Sequence, residues 1–338
     1  MQFRNSVLSL MVLVAGLLIQ GCNTFGDETA SCGAKEGILK GAIDDQSMKA
    51  QLLSEAKKRL DAKTLTSGDT LRSQLNRQTT KVTFAQPNAH VLQASDQYAY
   101  ARPSVVIMGS VYSCGKCNNL HLSTGAGFAV SEDGVFLTNH HVVSSTTNSL
   151  GMVAITADGK VAGVTEVLAA NQVEDWALIR IPELKLKPLP LKGNVSIGSE
   201  VFLVSHPNEH FFSFGKGHVA RYGKGKTLAA QGAMKEKQVL GVTEWLEITA
   251  EFGRGASGGP VMDTCGNVVG LISRVEGSKI VDNSEDHNLG RMVFKQCTPA
   301  GLILKGVSSK PKSLRLTPKQ ISASSASRMP RHISRVSW

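Results

Sequence analysis

From residue 104 to residue 274 the apolar side chains alternate in short runs, each broken by a turn signal, and that rhythm admits few folds. Residues 104–112 read as a strand, 126–130 and 135–138 flank Glu132-Asp133-Gly134, and 153–157 and 160–164 flank Asp158-Gly159. An acidic residue followed by glycine between apolar runs is a hairpin signal, because both positions tolerate the positive φ that a tight turn requires. Further strands are expected at 175–181, 200–204, 218–222 and 244–249, and at 259–262 and 268–274 joined by a turn at Cys265-Gly266-Asn267. Many short strands with regular turns make an all-β barrel or sandwich. An apolar content of 41% supplies a core, and 33 glycines suit a turn-rich chain.

Upstream the period changes. Met48, Leu52, Leu53, Ala56 and Leu60 fall near helical spacing behind Ser47, a plausible N-cap, which predicts a helix of about 16 residues. A shorter helical stretch is expected at 70–77. This helical extension could pack on the β domain, mediate association or act as a spacer. The sequence leaves all three open.

The N-terminus reads as a targeting segment. Arg4 supplies a positive start and residues 7–19 an apolar stretch, shorter than the roughly 20 residues a spanning helix needs. It ends in Leu18-Ile19-Gln20-Gly21-Cys22, which resembles a bacterial lipobox. That resemblance implies cleavage before Cys22 and lipidation of its sulfur, and more than one acyl chain gives a durable anchor where a single chain does not. Either a lipoprotein signal or a plain secretory signal exports the chain. Residues 23–40 then form a polar tether.

The formal charge is +10, yet no Asp or Glu occurs after Asp286, so much of the excess belongs to the C-terminal end. Its Ser-, Lys- and Pro-rich composition predicts a disordered basic tail, which serves either solubility or attraction to anionic envelope polymers. Aromatic residues make up only 5%, which argues against a stacking platform for nucleic acid. The expected divisions are 1–21 signal, 22–46 anchor and tether, 47–100 helical extension, 101–285 β domain and 286–338 tail.

With Cys22 lipidated, Cys32, Cys114, Cys117, Cys265 and Cys297 remain, an odd number that leaves one thiol over. Cys265 with Cys297 would tie the end of the domain to a hairpin. Cys114-Gly115-Lys116-Cys117 with His121 nearby admits a disulfide, half of a zinc site or a redox pair. No second C-x-x-C and no βαβ pattern accompanies it, and a structural disulfide is the first expectation. No cofactor is expected.

Chemistry concentrates in Glu251-Phe-Gly-Arg-Gly-Ala-Ser-Gly-Gly-Pro260. Glycines around Ser257 let the backbone turn tightly enough to aim peptide N–H groups at one point beside a hydroxyl. A nucleophile next to donors for a developing oxyanion is what acyl transfer needs. Upstream lie Leu137-Thr-Asn-His-His-Val-Val143 and Asp175-Trp-Ala-Leu-Ile-Arg-Ile181. The order His, Asp, Ser is that of chymotrypsin-type proteases, not of subtilisins or α/β-hydrolases.

On these three motifs the stretch from about Val105 to Gly277 resembles the trypsin-like serine peptidases, most closely their bacterial HtrA/Deg-like branch. The matching residues are Thr138-Asn139-His140-His141-Val142, Asp175-Trp-Ala-Leu-Ile179 and Gly255-Ala-Ser-Gly-Gly-Pro260. The resemblance implies two antiparallel β-barrels of the chymotrypsin type with the site in the cleft between them. It implies a polypeptide substrate and a catalytic set of Ser257, His141 and Asp175. His140 competes with His141, and Glu174 with Asp175; on a strand, neighbouring side chains point to opposite faces. Backbone N–H groups of Gly255 and Ser257 are the expected oxyanion donors. The family pattern places Ser273 behind the Asp and runs the substrate cleft along Ser273, Arg274 and Val275. Glu251 falls where trypsin carries its specificity carboxylate, which implies cleavage after Lys or Arg if Glu251 faces the pocket. A solvated Glu251 implies a small apolar pocket instead. The stretch beyond residue 285 is too short, and wrong in composition, for the PDZ domain often found behind such a protease. A binding or chaperone-like module that keeps the protease fold without turnover is the alternative to an endopeptidase.

Overall fold

Thirteen strands arranged in two antiparallel sheets make up the molecule, described here from a computed structural model over residues 42–144, 148–228, 238–277 and 293–308. The first sheet contains β1 (Val105–Ser113), β2 (Leu120–Ser131), β3 (Val135–Thr138), β4 (Ser149–Thr156), β5 (Val161–Gly163), β6 (Glu166–Asn171) and β7 (Trp176–Arg180). Its spatial order is β5-β4-β1-β2-β3-β7-β6. The two edge strands, β5 and β6, are separated in the chain by Val164 and Thr165 alone. The Val164 N–H bonds to Met152 on β4, and the Thr165 N–H to Arg180 on β7. A two-residue link between opposite edges requires the sheet to curl, while the outer edge of β6 is covered by the segment 74–77, where Gln74 Oε1 accepts from the Val167 N–H and the Arg77 carbonyl from the Ala170 N–H.

The second sheet is a closed barrel of β8 (Glu200–Ser205), β9 (Ser213–Leu228), β10 (Val239–Ile248), β11 (Pro260–Asp263), β12 (Val268–Gly277) and β13 (Val293–Pro299), in the order β10-β13-β12-β11-β8-β9. The expectation of an all-β molecule with two curled antiparallel layers holds. Phe128, Leu137, Ile155 and Trp176 of the first sheet and Phe202, Met262 and Leu271 of the second belong to one buried cluster, so apolar packing runs across the junction. Side chains of this size each contribute about 1.5–3 kcal/mol when taken from water.

Helix α1 (Asp45–Asp61) is capped by Asp44, whose side chain accepts from the Ser47 N–H; the cap therefore sits three residues before the Ser47 that the pattern suggested. Leu52 and Ala56 are its buried residues, and Leu52 packs against Gly109 of β1. Helix α2 (Gly68–Ser73) continues as a 3₁₀ turn to Asn76 and buries Leu71 beside Met152. Helix α3 (Gln97–Ala101) precedes β1. The helical extension is therefore packed onto the first sheet within the same compact unit.

A domain boundary at 285 falls short. β13 lies between β12 and β10, and it continues into a C-terminal helix, Ala300–Ser308, whose Ile303 and Val307 share the cluster of Trp176. Lys295 and Gln296 on this strand are buried, so part of the basic stretch read as tail is barrel wall. The signal, Cys22 and the tether, together with residues 309–338, lie outside the described residues. Among the described residues no helix is long and apolar enough to cross a membrane.

Candidate active site

Three chain segments converge where the two layers meet. β3 and β7 are antiparallel neighbours with Thr138 opposite Ala177, so the residues just past the end of β3 lie beside those just before β7. His141 and Asp175 are those residues. His141 stands in a short helix, α4 (His140–Ser144), not at a strand end. The two histidines are therefore separated by a helical step rather than by strand alternation. His140 is buried, with Ser144 Oγ 3.5 Å from its Nδ1, and burial lowers its pKa.

His141 faces the carboxylate. Its Nδ1 lies 2.8 Å from Asp175 Oδ2 and 3.0 Å from Oδ1, and its backbone N–H donates to Oδ1 at 3.0 Å. A carboxylate accepts only, so Nδ1 carries the proton and Nε2 keeps its lone pair. Burial pulls the imidazole pKa down, but the charge of Asp175 and its hydrogen bond outweigh that, and the net direction is up. For Asp175, burial raises the carboxyl pKa, while His141 and Ser273 together bring it below the usual range. Asp175 is held at φ 58°, a left-handed conformation that Asp tolerates better than most residues, and Asn139 Nδ2 donates to its carbonyl at 2.8 Å. Glu174 is turned elsewhere, accepting from the Trp176 indole N–H at 2.8 Å.

Ser257 lies on the loop that leads into β11. Its carbonyl accepts from Ala126 of β2 at 2.7 Å, which stitches the loop of one layer to a strand of the other. Gly258 makes that approach possible: its φ is +90°, and a Cβ there would stand 2.0 Å from the Ala126 oxygen. The Ser257 hydroxyl donates to the Ser273 carbonyl at 3.1 Å, while the Ser273 hydroxyl donates to Asp175 Oδ2. One residue of β12 thus anchors both the serine and the aspartate.

Residues that sequence reasoning missed set the Arg254–Gly255 peptide. The Arg254 carbonyl accepts from the Asn208 N–H at 2.6 Å. A trans peptide is planar with its C=O and N–H opposed, so a carbonyl turned toward Asn208 sends the Gly255 N–H the other way. Gly255 has φ +89°, and among the described residues neither its N–H nor that of Ser257 has a hydrogen-bond partner. Asn208 and Glu209 hold positive φ of 50° and 65°. Their loop is pinned by α1, where Lys49 Nζ meets Glu209 at 2.6 Å and Asp45 accepts from the Phe211 N–H at 2.9 Å. No motif in the sequence announces a contact across some 160 residues.

The residues expected along a substrate cleft divide. Glu251 is 86% exposed, with Lys295 Nζ 2.9 Å away and only 10% exposed itself. Lys295 also donates to the Phe252 carbonyl and lies over the Phe252 ring. The Arg274 guanidinium sits 4.2 Å from the centre of the Trp245 ring and donates to Gln296 at 2.7 Å, while Val275 is exposed. The disulfide expectations are not met: all four described cysteines are free. Cys297 is wholly buried on β13 opposite Leu246 and Ile272, whereas Cys265 sits in a turn with its sulfur against the Ala89 carbonyl. Cys114, Cys117 and His121 gather at the tip of the β1–β2 hairpin, away from these groups in the chain but close to one another.

A family profile described as the trypsin-like peptidase domain matches residues 125–271. Over that span the chain is similar to the trypsin-like peptidases. Within it fall His141, Asp175 and Ser257, whereas α1 and β13 lie outside the matched span. Anti-sigma-I factor RsgI9 of Acetivibrio thermocellus is 34% identical over 158 residues, 46% of this chain and 20% of that protein. Protease Do-like 1, chloroplastic, of Arabidopsis thaliana is 28% identical over 156 residues, 44% of this chain and 32% of that protein. The chain thus spans a third or less of the length of these two relatives. Among solved structures, the active form of the Rv3671c protease from M. tuberculosis gives a TM-score of 0.47 at 22% identity, covering 69% of this chain and 96% of that one.

Proposed function

We propose that this chain is a serine endopeptidase of the bacterial cell envelope, cleaving polypeptides through an acyl-enzyme on Ser257. One observation carries the reading: the unbroken chain of contacts from the Ser257 hydroxyl to Ser273, from Ser273 to Asp175 and from Asp175 to His141. In the reaction the serine hydroxyl rotates from the Ser273 carbonyl onto His141 Nε2, which takes its proton as the oxygen attacks the scissile carbonyl. Asp175 keeps the productive tautomer and stabilises the imidazolium that forms. The N–H groups of Gly255 and Ser257 receive the oxyanion; loss of one such donor typically costs about 3–4 kcal/mol. The imidazolium then protonates the leaving amine, and water repeats the sequence to release the acid and regenerate Ser257.

Export rests on the segment ending at Cys22, and lipidation there would hold the enzyme at a membrane. Cys22→Ser is expected to release the mature chain into the soluble envelope fraction and abolish acyl labelling. Wild-type protein without acyl label would reduce the segment to a plain signal peptide. For the chemistry, a fluorophosphonate is expected to label the wild-type chain at Ser257 and to leave Ser257→Ala unlabelled. A well-folded wild type that takes no label and cleaves no casein would favour the non-catalytic binding module.

A further inference from the structure

The tip of the β1–β2 hairpin carries a cluster that peptide hydrolysis does not use. β1 and β2 are in register from Val105 opposite Phe128 out to Ser113 opposite Leu120, and the six residues 114–119 close the turn. Gly115, at φ +69°, bends the backbone so that Cys114 and Cys117 face each other. Their sulfurs are 3.4 Å apart and both thiols are free. Two residues before Cys114, Tyr112 pairs across the ladder with His121, and the two rings stack at 5.4 Å. That stacking sets the imidazole so that its Nε2 lies 3.2 Å from Cys117 Sγ. The Lys116 N–H points at Cys114 Sγ at 3.4 Å, the arrangement that stabilises a thiolate.

We propose that Cys114, Cys117 and His121 bind a divalent metal ion of the zinc type at the hairpin tip. The three donor atoms lie within 4.8 Å of one another. Around a tetrahedral zinc with bonds of about 2.3 Å to sulfur and 2.0–2.1 Å to nitrogen, neighbouring donors stand roughly 3.5–3.8 Å apart. The observed 3.4 and 3.2 Å open by a few tenths of an ångström, and the Cys114–His121 separation, within 4.8 Å, closes into the same range. Two thiolates and an imidazole are a donor set that selects zinc over magnesium or calcium. A disulfide between Cys114 and Cys117 would leave the imidazole without a role, whereas a metal uses all three groups. On binding, two thiol protons pass to solvent and two sulfur–metal bonds and one nitrogen–metal bond form. Cys117 is exposed, so the fourth position opens to water or to an incoming donor. The tip has no apolar core of its own, and a metal would order it as a clip.

The test uses the untagged mature chain, reduced and metal-free, titrated with Zn²⁺ against a chromophoric chelator and with Co²⁺ for its spectrum. One equivalent is expected, with thiolate-to-cobalt charge-transfer bands and the intense visible bands of a four-coordinate site. Cys114→Ser, Cys117→Ser and His121→Ala are each expected to weaken binding by on the order of 100-fold, since even loss of a group outside the ligand set costs 10–100-fold. Cys265→Ser and Ser257→Ala are expected to bind as the wild type does, which separates this site from the peptidase reading. The proposal is overturned if the reduced wild type takes up no Zn²⁺, if His121→Ala binds unchanged, or if protein taken from its own compartment holds a Cys114–Cys117 disulfide and no metal.

Discussion

At the scale of single residues, the charge of Asp175 has opposite consequences for activity and for stability. It holds the His141 imidazole above its ordinary value, and the base must be neutral to work. The acid limb of kcat/KM is therefore expected above about pH 6.5, the ordinary imidazole value. A limb below that value would remove the Asp175–His141 pairing from the free enzyme. The stabilising contribution runs the other way: it is full below the unfolded imidazole value and is lost as pH rises through the folded one. Ser257→Ala, inactive but folded, is the variant in which to track that trend by thermal melting. His141→Ala is expected to be inactive and His140→Ala substantially active. Asp175→Asn is expected to lower kcat by on the order of 10⁴-fold. Specificity turns on a neighbouring pair. The carboxylate of Glu251 has Lys295 at 2.9 Å and faces solvent, so a substrate cation gains little from it. A peptide-library profile is expected to show small apolar side chains at the cleaved position, with Glu251→Ala leaving it unchanged. A profile dominated by Lys or Arg would return Glu251 to the pocket.

At the scale of elements, α1 braces the loop 207–212, and that loop sets the peptide whose N–H belongs to the proposed oxyanion site. Two residues at positive φ, Asn208 and Glu209, hold only because the surroundings fix them, and α1 supplies part of that constraint through Lys49 and Asp45. The Lys49–Glu209 pair is half exposed and contributes at most about 1 kcal/mol to stability. The Asp45→Ala/Lys49→Ala double variant is therefore expected to melt near the wild type yet lose kcat severalfold with KM held. Lys49→Glu with Glu209→Lys is expected to recover most of it. An unchanged kcat would confine α1 to packing. None of this was visible in the sequence, because a loop's partner across 160 positions leaves no periodicity. The side chains proposed as catalytic were legible for the opposite reason: glycines at 255 and 258 are demanded by close backbone approach, and short motifs record such demands. His140 and His141 lie in α4, so helical rotation and not strand alternation turns their side chains apart.

At the scale of the whole molecule, the alternating runs made the layered all-β design legible, while β6 and β13 were not. Glu166-Val-Leu-Ala-Ala-Asn171 is short and carries two alanines, and Val293-Phe-Lys-Gln-Cys-Thr-Pro299 mixes charge into a buried strand. β13 nevertheless completes the barrel. A chain ended at residue 285 would expose the ladder edges of both β10 and β12, and it is expected to be insoluble or to melt far below a chain ended at 308. Comparable melting of the two would make β13 dispensable. The position of β13 also bears on timing. Ser257 and its glycines leave the ribosome well before residues 293–299, yet the wall that sets Lys295 against Phe252 and brackets the Ser273 strand arrives only with that last segment. A nascent chain that has released Ser257 but not residues 293–299 therefore holds that serine without a finished barrel around it.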